Sequence, residues 1–251
     1  MWDTCSRSNG RRDLTVQGQR SFLLIGNSRW HWAIKKADSW HFFHTLPDLQ
    51  IINTLDNPLS AWAAVGPIPK RLLMNNSKRI EINDVPLQKS PTWLGIDRAL
   101  AGWGAFKKAK SSNTHSSGIL VADAGTVMSL TRITAKGEFA GGQLIPGLRL
   151  QLSAMAYGTQ NLNDPGSPST STKQFPINTA EAMRRGCLQA LVGAIILAQK
   201  EANMPIWLCG GDAPVLMQEL RKRNTHAVHH PNLVLEGMVD IENSINQSQD
   251  H

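Results

Sequence analysis

Apolar runs that stop at small polar residues punctuate this chain, and twice they do so in the same way. SFLLIGNSRWHWAI, residues 21–34, breaks at Gly26-Asn27-Ser28, so it predicts a strand, a tight turn and a second strand. GILVADAGTVMSLTRI, residues 118–133, repeats that pattern almost feature for feature. A duplicated β-hairpin is the expectation. Each hairpin continues toward a further turn: ADSWHFF follows the first, and TAKGEFAGGQLIPG follows the second through a Lys136-Gly137 turn suited to antiparallel strands.

Three segments carry a helical period instead. Residues 177–203 place Leu188, Leu191, Val192 and Ile195 at i, i+3, i+4 and i+7, and Asn178 with Glu181 forms a capping box at the start. Residues 95–110, GIDRALAGWGAFKKAK, open with Asp97 in the first turn and close on lysines, as the helix dipole favours. PVLMQELRKR, residues 214–223, predicts a third helix. The Ser/Asn-rich connector SSNTHSSG, 111–118, divides the chain. The expected organisation is a tail at 1–20, halves at 21–115 and 116–244, and a short tail at 245–251. The stretch 161–176 is polar and rich in Pro and Ser, hence a loop that serves either as a lid or as a plain variable connection.

Composition narrows the classes. The chain has 251 residues, enough for one large domain or two small ones, with 41% hydrophobic and 18% charged residues, as in globular proteins. Three scattered cysteines, Cys5, Cys187 and Cys209, suggest neither a disulfide framework nor a zinc site, and point to a reducing, cytoplasmic setting. The longest apolar stretch, 191–198, is too short to span a bilayer, and residues 1–20 lack the apolar core of a secretory signal, so no membrane role is expected. The net charge of +7 raises the question of nucleic acid. Its clusters, KKAK (107–110) and RKR (221–223), are small and read as helix ends with solvated faces, so no nucleic-acid partner is expected.

Chemistry concentrates at the turns. In VADAGTV a carboxylate, Asp123, ends an apolar strand just before a glycine and a threonine. Glycine lets an anion approach the backbone, and Thr126 with successive N–H groups supplies donors to phosphate oxygens. Asp123 would repel phosphate, so its place is beside a cation that accompanies the phosphates. Ordinary turn chemistry accounts for Asp-Ala-Gly equally well when it is taken alone. GGQLIPG (141–147) and CGGDAP (209–214) add further glycine turns, the latter just before a helix, where anions are readily held.

In this order and spacing, GIDR (95–98), DAGT (123–126), GGQLIPGL (141–148), NTAEAMRRG (178–186) and CGGDA (209–213) resemble a type III pantothenate kinase, most closely the cyanobacterial members. The resemblance covers about residues 21–240. It implies an α/β fold of the actin-like ATPase superfamily: two ribonuclease-H-like halves facing each other across a nucleotide cleft. It implies ATP-dependent phosphorylation of pantothenate at its 4′-hydroxyl, Mg²⁺ with ATP, a monovalent cation (K⁺ or NH₄⁺) and a homodimer.

Carried over by motif, the resemblance makes Asp97 the catalytic base and Asp123 the monovalent-cation ligand. Gly95, Ile96, Asp97, Arg98 and Thr179 contact pantothenate, Thr179 from across the dimer. Thr126 and the first glycine loop with its flanks, Leu24, Ile25, Gly26, Asn27, Ser28, Arg29, Trp30 and His31, bind the nucleotide. Two positions depart from the pattern. Leu24 stands where the family has an aspartate, so Mg²⁺ must be held largely by ATP and water. Gln88 stands where a tyrosine lines the pantothenate pocket, keeping a hydrogen-bonding group but losing stacking area. The alternative reading is a non-catalytic regulatory or binding homologue of the same fold, for which Leu24 is the best support.

Overall fold

The computed structural model describes residues 20–37, 39–53, 59–73, 77–166 and 173–247. Residues 1–19 of the expected leading tail, the centre of the 161–176 stretch and residues 248–251 lie outside the described residues.

Both hairpins form where the sequence breaks. β1 (Ser21–Ile25) pairs antiparallel with β2 (Trp30–Lys36), and β2 with β3 (Ser39–Thr45). β4 (Ala61–Ala64) and β5 (Lys78–Arg79) then add in parallel, giving the order β3-β2-β1-β4-β5. The second half repeats this with β6 (Ile119–Ala124), β7 (Val127–Ile133), β8 (Phe139–Pro146), β9 (Ile206–Cys209) and β10 (Ala227–His229). Its order β10-β9-β6-β7-β8 is the first read from the other edge, with the same pattern of parallel and antiparallel neighbours. Two copies of a ribonuclease-H-like sheet result, as the duplicated pattern implies. The Lys136-Gly137 turn forms too, with Gly137 at φ +77° and its N–H on the Thr134 carbonyl at 2.9 Å.

Among the described residues seven helices cover the sheets: α1 (Leu49–Asn53), α2 (Lys70–Leu73), α3 (Ile96–Ser111), α4 (Leu148–Gly158), α5 (Thr179–Ala202), α6 (Ala213–Arg221) and α7 (Leu233–Gln247). The three helices expected from periodicity are α3, α5 and α6. Asn178 caps α5 by accepting the Glu181 N–H at 2.9 Å.

Strand alternation assigns the layers. On one face of β1, Phe22 and Leu24 join α3, α7 and the residues Val121, Ile133 and Trp207 of the second sheet in a single apolar cluster. On the other face, Leu23 and Ile25 join Trp30, Trp32, Trp62 and Leu72. The second sheet's outer face, with Leu120, Ala122 and Leu130, packs beneath residues of α4, α5 and α6. The pair α3 and α7 is thus the central layer between two sheets. Burial on both faces is why β1 and β6 read as nearly unbroken apolar runs.

The central helices touch backbone to backbone. A Cβ at Gly104 would stand 2.4 Å from the Leu233 carbonyl oxygen, and one at Gly237 would stand 2.3 Å from that of Leu100. Polar contacts line the same seam: Trp103 Nε1 donates to Asp240 at 2.8 Å, Lys107 meets Asp240 at 3.4 Å and Lys108 meets Glu236 at 3.1 Å. Two of the KKAK lysines, Lys107 and Lys108, therefore pair with α7 as well as ending α3. RKR behaves similarly: Lys222 and Arg223 bind Glu219, which also holds the buried Arg185 at 3.0 Å. Burial opposes ionisation of Glu219, but the three cationic donors outweigh it and hold the carboxyl at about 2.

Replacing Gly237 with Val must push α7 off α3, a cost of about 3 kcal/mol or more by the usual scale of overpacking. Chemical denaturation should show the loss of stability, whereas Gly193→Ala, where nothing lies within 4 Å of the added carbon, should stay close to wild type.

Candidate active site

The two hairpin turns are built alike, and each is seated on glycine. In the first, the Gly26 N–H closes the turn on the Arg29 carbonyl at 3.0 Å, and the Ile25 carbonyl accepts the Val65 and Gly66 N–H groups at 2.9 and 3.1 Å. A Cβ on Gly66 would stand 2.3 Å from the Gly26 carbonyl oxygen. In the second, the Ala124 carbonyl accepts the Asp212 N–H at 2.9 Å and the Thr126 carbonyl accepts the Gly147 N–H at 3.0 Å. A Cβ on Gly210, which sits at φ +90°, would stand 2.5 Å from the Ala124 carbonyl oxygen, and one on Gly147 would stand 2.1 Å from that of Gly125. The glycines that look like loop composition in the sequence are the contact points at which the chain after β4, β8 and β9 presses on a hairpin turn.

The turns meet. Ser28 Oγ and Thr126 Oγ1, 98 residues apart in sequence, lie 2.8 Å from each other. Around this contact gather exposed Asn27, Ser28, Arg29 and Thr126, an arrangement of hydroxyls, backbone N–H groups and one cation that fits phosphate oxygens.

Two carboxylates accompany the second turn: Asp123, three residues before Thr126, and Asp97, whose charge reaches Asp123. Asp97 lies in the first turn of α3, with its Oδ1 accepting the Arg98 N–H at 2.8 Å. Gly95, which caps α3, explains its own place in the motif: a Cβ there would stand 2.7 Å from Asp97 Oδ1. Burial raises the Asp97 pKa, more than the Arg98 N–H and guanidinium lower it. Asp123, next to last in β6, stands opposite Cys209 of β9. Burial first, and then the charge of Asp97, push the Asp123 carboxyl up to about 7, against a hydrogen bond from the Cys209 thiol that favours its charged form. The two acids are therefore close enough to repel each other, although 26 positions apart in sequence. A half-buried carboxylate held against a second one is a fitting ligand for a cation. Among the described residues, no three His, Cys, Asp or Glu side chains cluster to hold a metal ion.

The remaining residues singled out from sequence divide by burial. Arg98 is buried, donates Nε to Thr131 at 3.2 Å and lies over the Phe139 ring at 5.9 Å. Gly142 makes room for it, since a Cβ there would stand 2.6 Å from Arg98 Nη2. Ile96 is buried in the central cluster. Gln88 is exposed, and its backbone ties to β8 through the Gly137 carbonyl and the Phe139 N–H at 3.0 and 2.8 Å. Thr179 is exposed at the start of α5. Leu24, Ile25 and Trp30 are buried in the two apolar clusters, so their side chains face the core; His31 is half-buried beside the turn. Sequence reading gave no role to Cys209, Gly66 or His44, because strand register and turn packing alone bring them to the site.

The family model for type III pantothenate kinase matches residues 59–199. A type III pantothenate kinase of Thermosynechococcus vestitus is 32% identical over 212 residues, covering 79% of this chain and 80% of that protein. Among solved structures, a Campylobacter jejuni protein described as a Baf family transcriptional activator aligns with a TM-score of 0.64 and 21% identity, over 90% of this chain and 99% of that one. The activator of the 2-hydroxyisocaproyl-CoA dehydratase from Clostridium difficile, solved with bound ADPNP, aligns with a TM-score of 0.53 and 12% identity, over 93% and 98% of the two chains. At such identities these two likenesses speak for the fold.

If Asp97 raises the Asp123 pKa by its charge, Asp97→Asn must lower it. A carboxyl ¹³C titration of the full chain should place the Asp123 midpoint near 7 in wild type and clearly lower in the variant; an unmoved midpoint would separate the two acids.

Proposed function

The chain belongs to the type III pantothenate kinase family, and on that footing we propose that it transfers the γ-phosphoryl group of ATP to the 4′-hydroxyl of pantothenate in the cleft where Ser28 meets Thr126. The product is 4′-phosphopantothenate, and the reaction opens coenzyme A biosynthesis. The observation that carries the assignment of roles is that Asp97 on α3 lies near enough to Asp123 on β6 for its charge to raise the Asp123 pKa. Asp97 is the base: its carboxylate takes the hydroxyl proton as the oxygen attacks the γ-phosphorus and ADP departs. Its raised pKa makes it the stronger acceptor for that proton. Gly95 leaves it room, and the Arg98 N–H fixes one of its oxygens.

Asp123 is the ligand of a monovalent cation, which supplies positive charge beside the phosphates. Mg²⁺ enters with ATP. Thr126, Ser28, Asn27, Arg29 and the backbone of the first turn orient the phosphates, and phosphoryl transfer asks the protein mainly for such positioning. Buried Arg98 shapes the pantothenate side with Gly95, Ile96 and Gln88. We assign the two halves to residues 21–115 and 116–244, and a cytoplasmic location to the protein.

A homodimer belongs to the same reading. Tyr157, Phe175 and Ile177 are 96%, 92% and 95% exposed, all near the end of α4 and the start of α5, where Thr179 also stands. Such side chains gain by being covered, and a second copy would bring Thr179 to its neighbour's site. No helix among the described residues is long and apolar enough to cross a membrane. The rival reading, a non-catalytic homologue, draws on Leu24, which is 5% exposed in the core and offers no oxygen to a metal. It leaves unexplained why two repelling carboxylates are kept together at a cost in stability.

ADP should form only when ATP, Mg²⁺, pantothenate and K⁺ are all present, and much more slowly with Na⁺. Asp97→Asn should lower kcat by about 10²–10⁴-fold with the fold intact; undiminished turnover would remove Asp97 from the mechanism.

The cation makes a separate prediction. Since the folded value for Asp123 is raised to about 7, its contribution to stability is present in the acid range and lost as pH rises through 7. At pH 8 the charge stands uncompensated without a cation. Exchanging tetramethylammonium for K⁺ at that pH should therefore raise the thermal midpoint of wild type and leave that of Asp123→Asn unmoved.

A further inference from the structure

The first turn lacks an acid at position 24, and the residue directly across the hairpin from Leu24 is His31. Paired residues of antiparallel strands project from the same face, so the imidazole occupies the space beside the place a carboxylate would take. Its outer nitrogen fronts the turn: Nε2 lies 3.2 Å from where a Cβ on Gly26 would stand. Two residues further along the chain, Ser28 bonds to Thr126 across the cleft.

The inner nitrogen is already engaged. His31 and His44 are register partners on β2 and β3, and their Nδ1 atoms lie 2.7 Å apart, with the rings edge to face at 73°. The ionisable groups facing the pair are each other and Arg29. Burial, the His44 ring and the Arg29 charge lower His31 to about 4, and burial and Arg29 lower His44 as well. Both rings are neutral near pH 7. A bond between two neutral imidazoles needs one Nδ1–H and one bare Nδ1, so the two rings are locked in opposite tautomers. The one that leaves His31 accepting at Nδ1 puts its hydrogen on Nε2, facing the turn.

We propose that His44 Nδ1–H donates to His31 Nδ1 and so holds His31 as an Nε2–H donor to a triphosphate oxygen at the first glycine turn, which makes His44 a positioning residue for the nucleotide. This rests on the reading that the cleft takes ATP. Leu24 fits the arrangement, because an aspartate there would be an acceptor competing with phosphate for the same hydrogen. A direct donor to phosphate thus stands where a family carboxylate acts on the accompanying metal. His44 is exposed on β3, and its ring can be changed without opening the core.

The test uses the full chain with MgADP as probe. His44→Phe keeps an edge-to-face ring and removes the donor. Calorimetry should show MgADP binding weakened about tenfold, the scale of a lost hydrogen bond to a charged group. The KM for ATP should rise in step, while kcat and the KM for pantothenate stay within about twofold. His44→Asn, which returns an N–H near the Nδ1 position, should recover most of the affinity. In wild type, ¹⁵N shifts should report the Nε2–H tautomer for His31. Unchanged MgADP binding by folded His44→Phe, no recovery in His44→Asn, an Nδ1–H tautomer at His31, or a wild type that does not bind MgADP would each overturn the proposal. Wild type that binds MgADP but makes no phosphopantothenate would instead overturn the pantothenate reading, and the His44 effect on MgADP binding would still stand.

Discussion

The site depends on one unfavourable placement: Asp123 is buried at a point where the charge of Asp97 also reaches it, and both effects raise its pKa. Neither acid would choose this neighbour, and the fold holds them there by means remote from both. Asp97 is placed by α3, which is fixed against α7 by the backbone contacts at Gly104 and Gly237 and by the polar seam of Trp103, Lys107 and Lys108. Asp123 is placed by β6, buried on both faces between β7 and β9. Strain of this kind persists only where the surrounding packing exceeds it, and the central two-helix layer supplies that packing.

Duplication supplies the remaining geometry. The carbonyl of the last residue of β1, Ile25, accepts N–H groups from the segment after β4; that of the last residue of β6, Ala124, accepts one from the segment after β9. In both halves a glycine sits directly on the turn, because any side chain at Gly66 or Gly210 would meet backbone atoms at 2.3 or 2.5 Å. Two turns held in the same way approach to hydroxyl contact at Ser28 and Thr126. One structural device used twice therefore yields a single cleft.

Much of this was legible in the sequence, for specific reasons. The hairpins at 21–34 and 118–133 could be read because turn residues interrupt continuous apolar runs, and α5 because Leu188 to Ile195 keep helical spacing under an Asn178 cap. α4 and α7 were not singled out. The first follows directly on a Pro-Gly turn, and the second matters mainly through Gly237, whose value lies in what it touches on α3. Asp97 and Asp123 stood out by motif, and only the family resemblance put them in one site, since their approach depends on how the two halves close. The pairing of Cys209 with Asp123 and the role of His44 could not be read, because strand register alone brings these residues to their partners.

The two turns, alike in backbone, differ in charge, and the difference divides their labour. The second carries Asp123 and lies near Asp97, so this side of the cleft is acidic, as the proposed cation and alcohol proton would require. The first carries Arg29 and the neutral His31 and His44 rings, with only apolar Leu24 where an acid would stand. A triphosphate brought between them meets donors on one side and, on the other, acids that it can approach only through a cation. Under the proposed function, that asymmetry would orient the nucleotide before any chemistry occurs, with its phosphates toward the first turn and the terminal one toward Asp97 on α3.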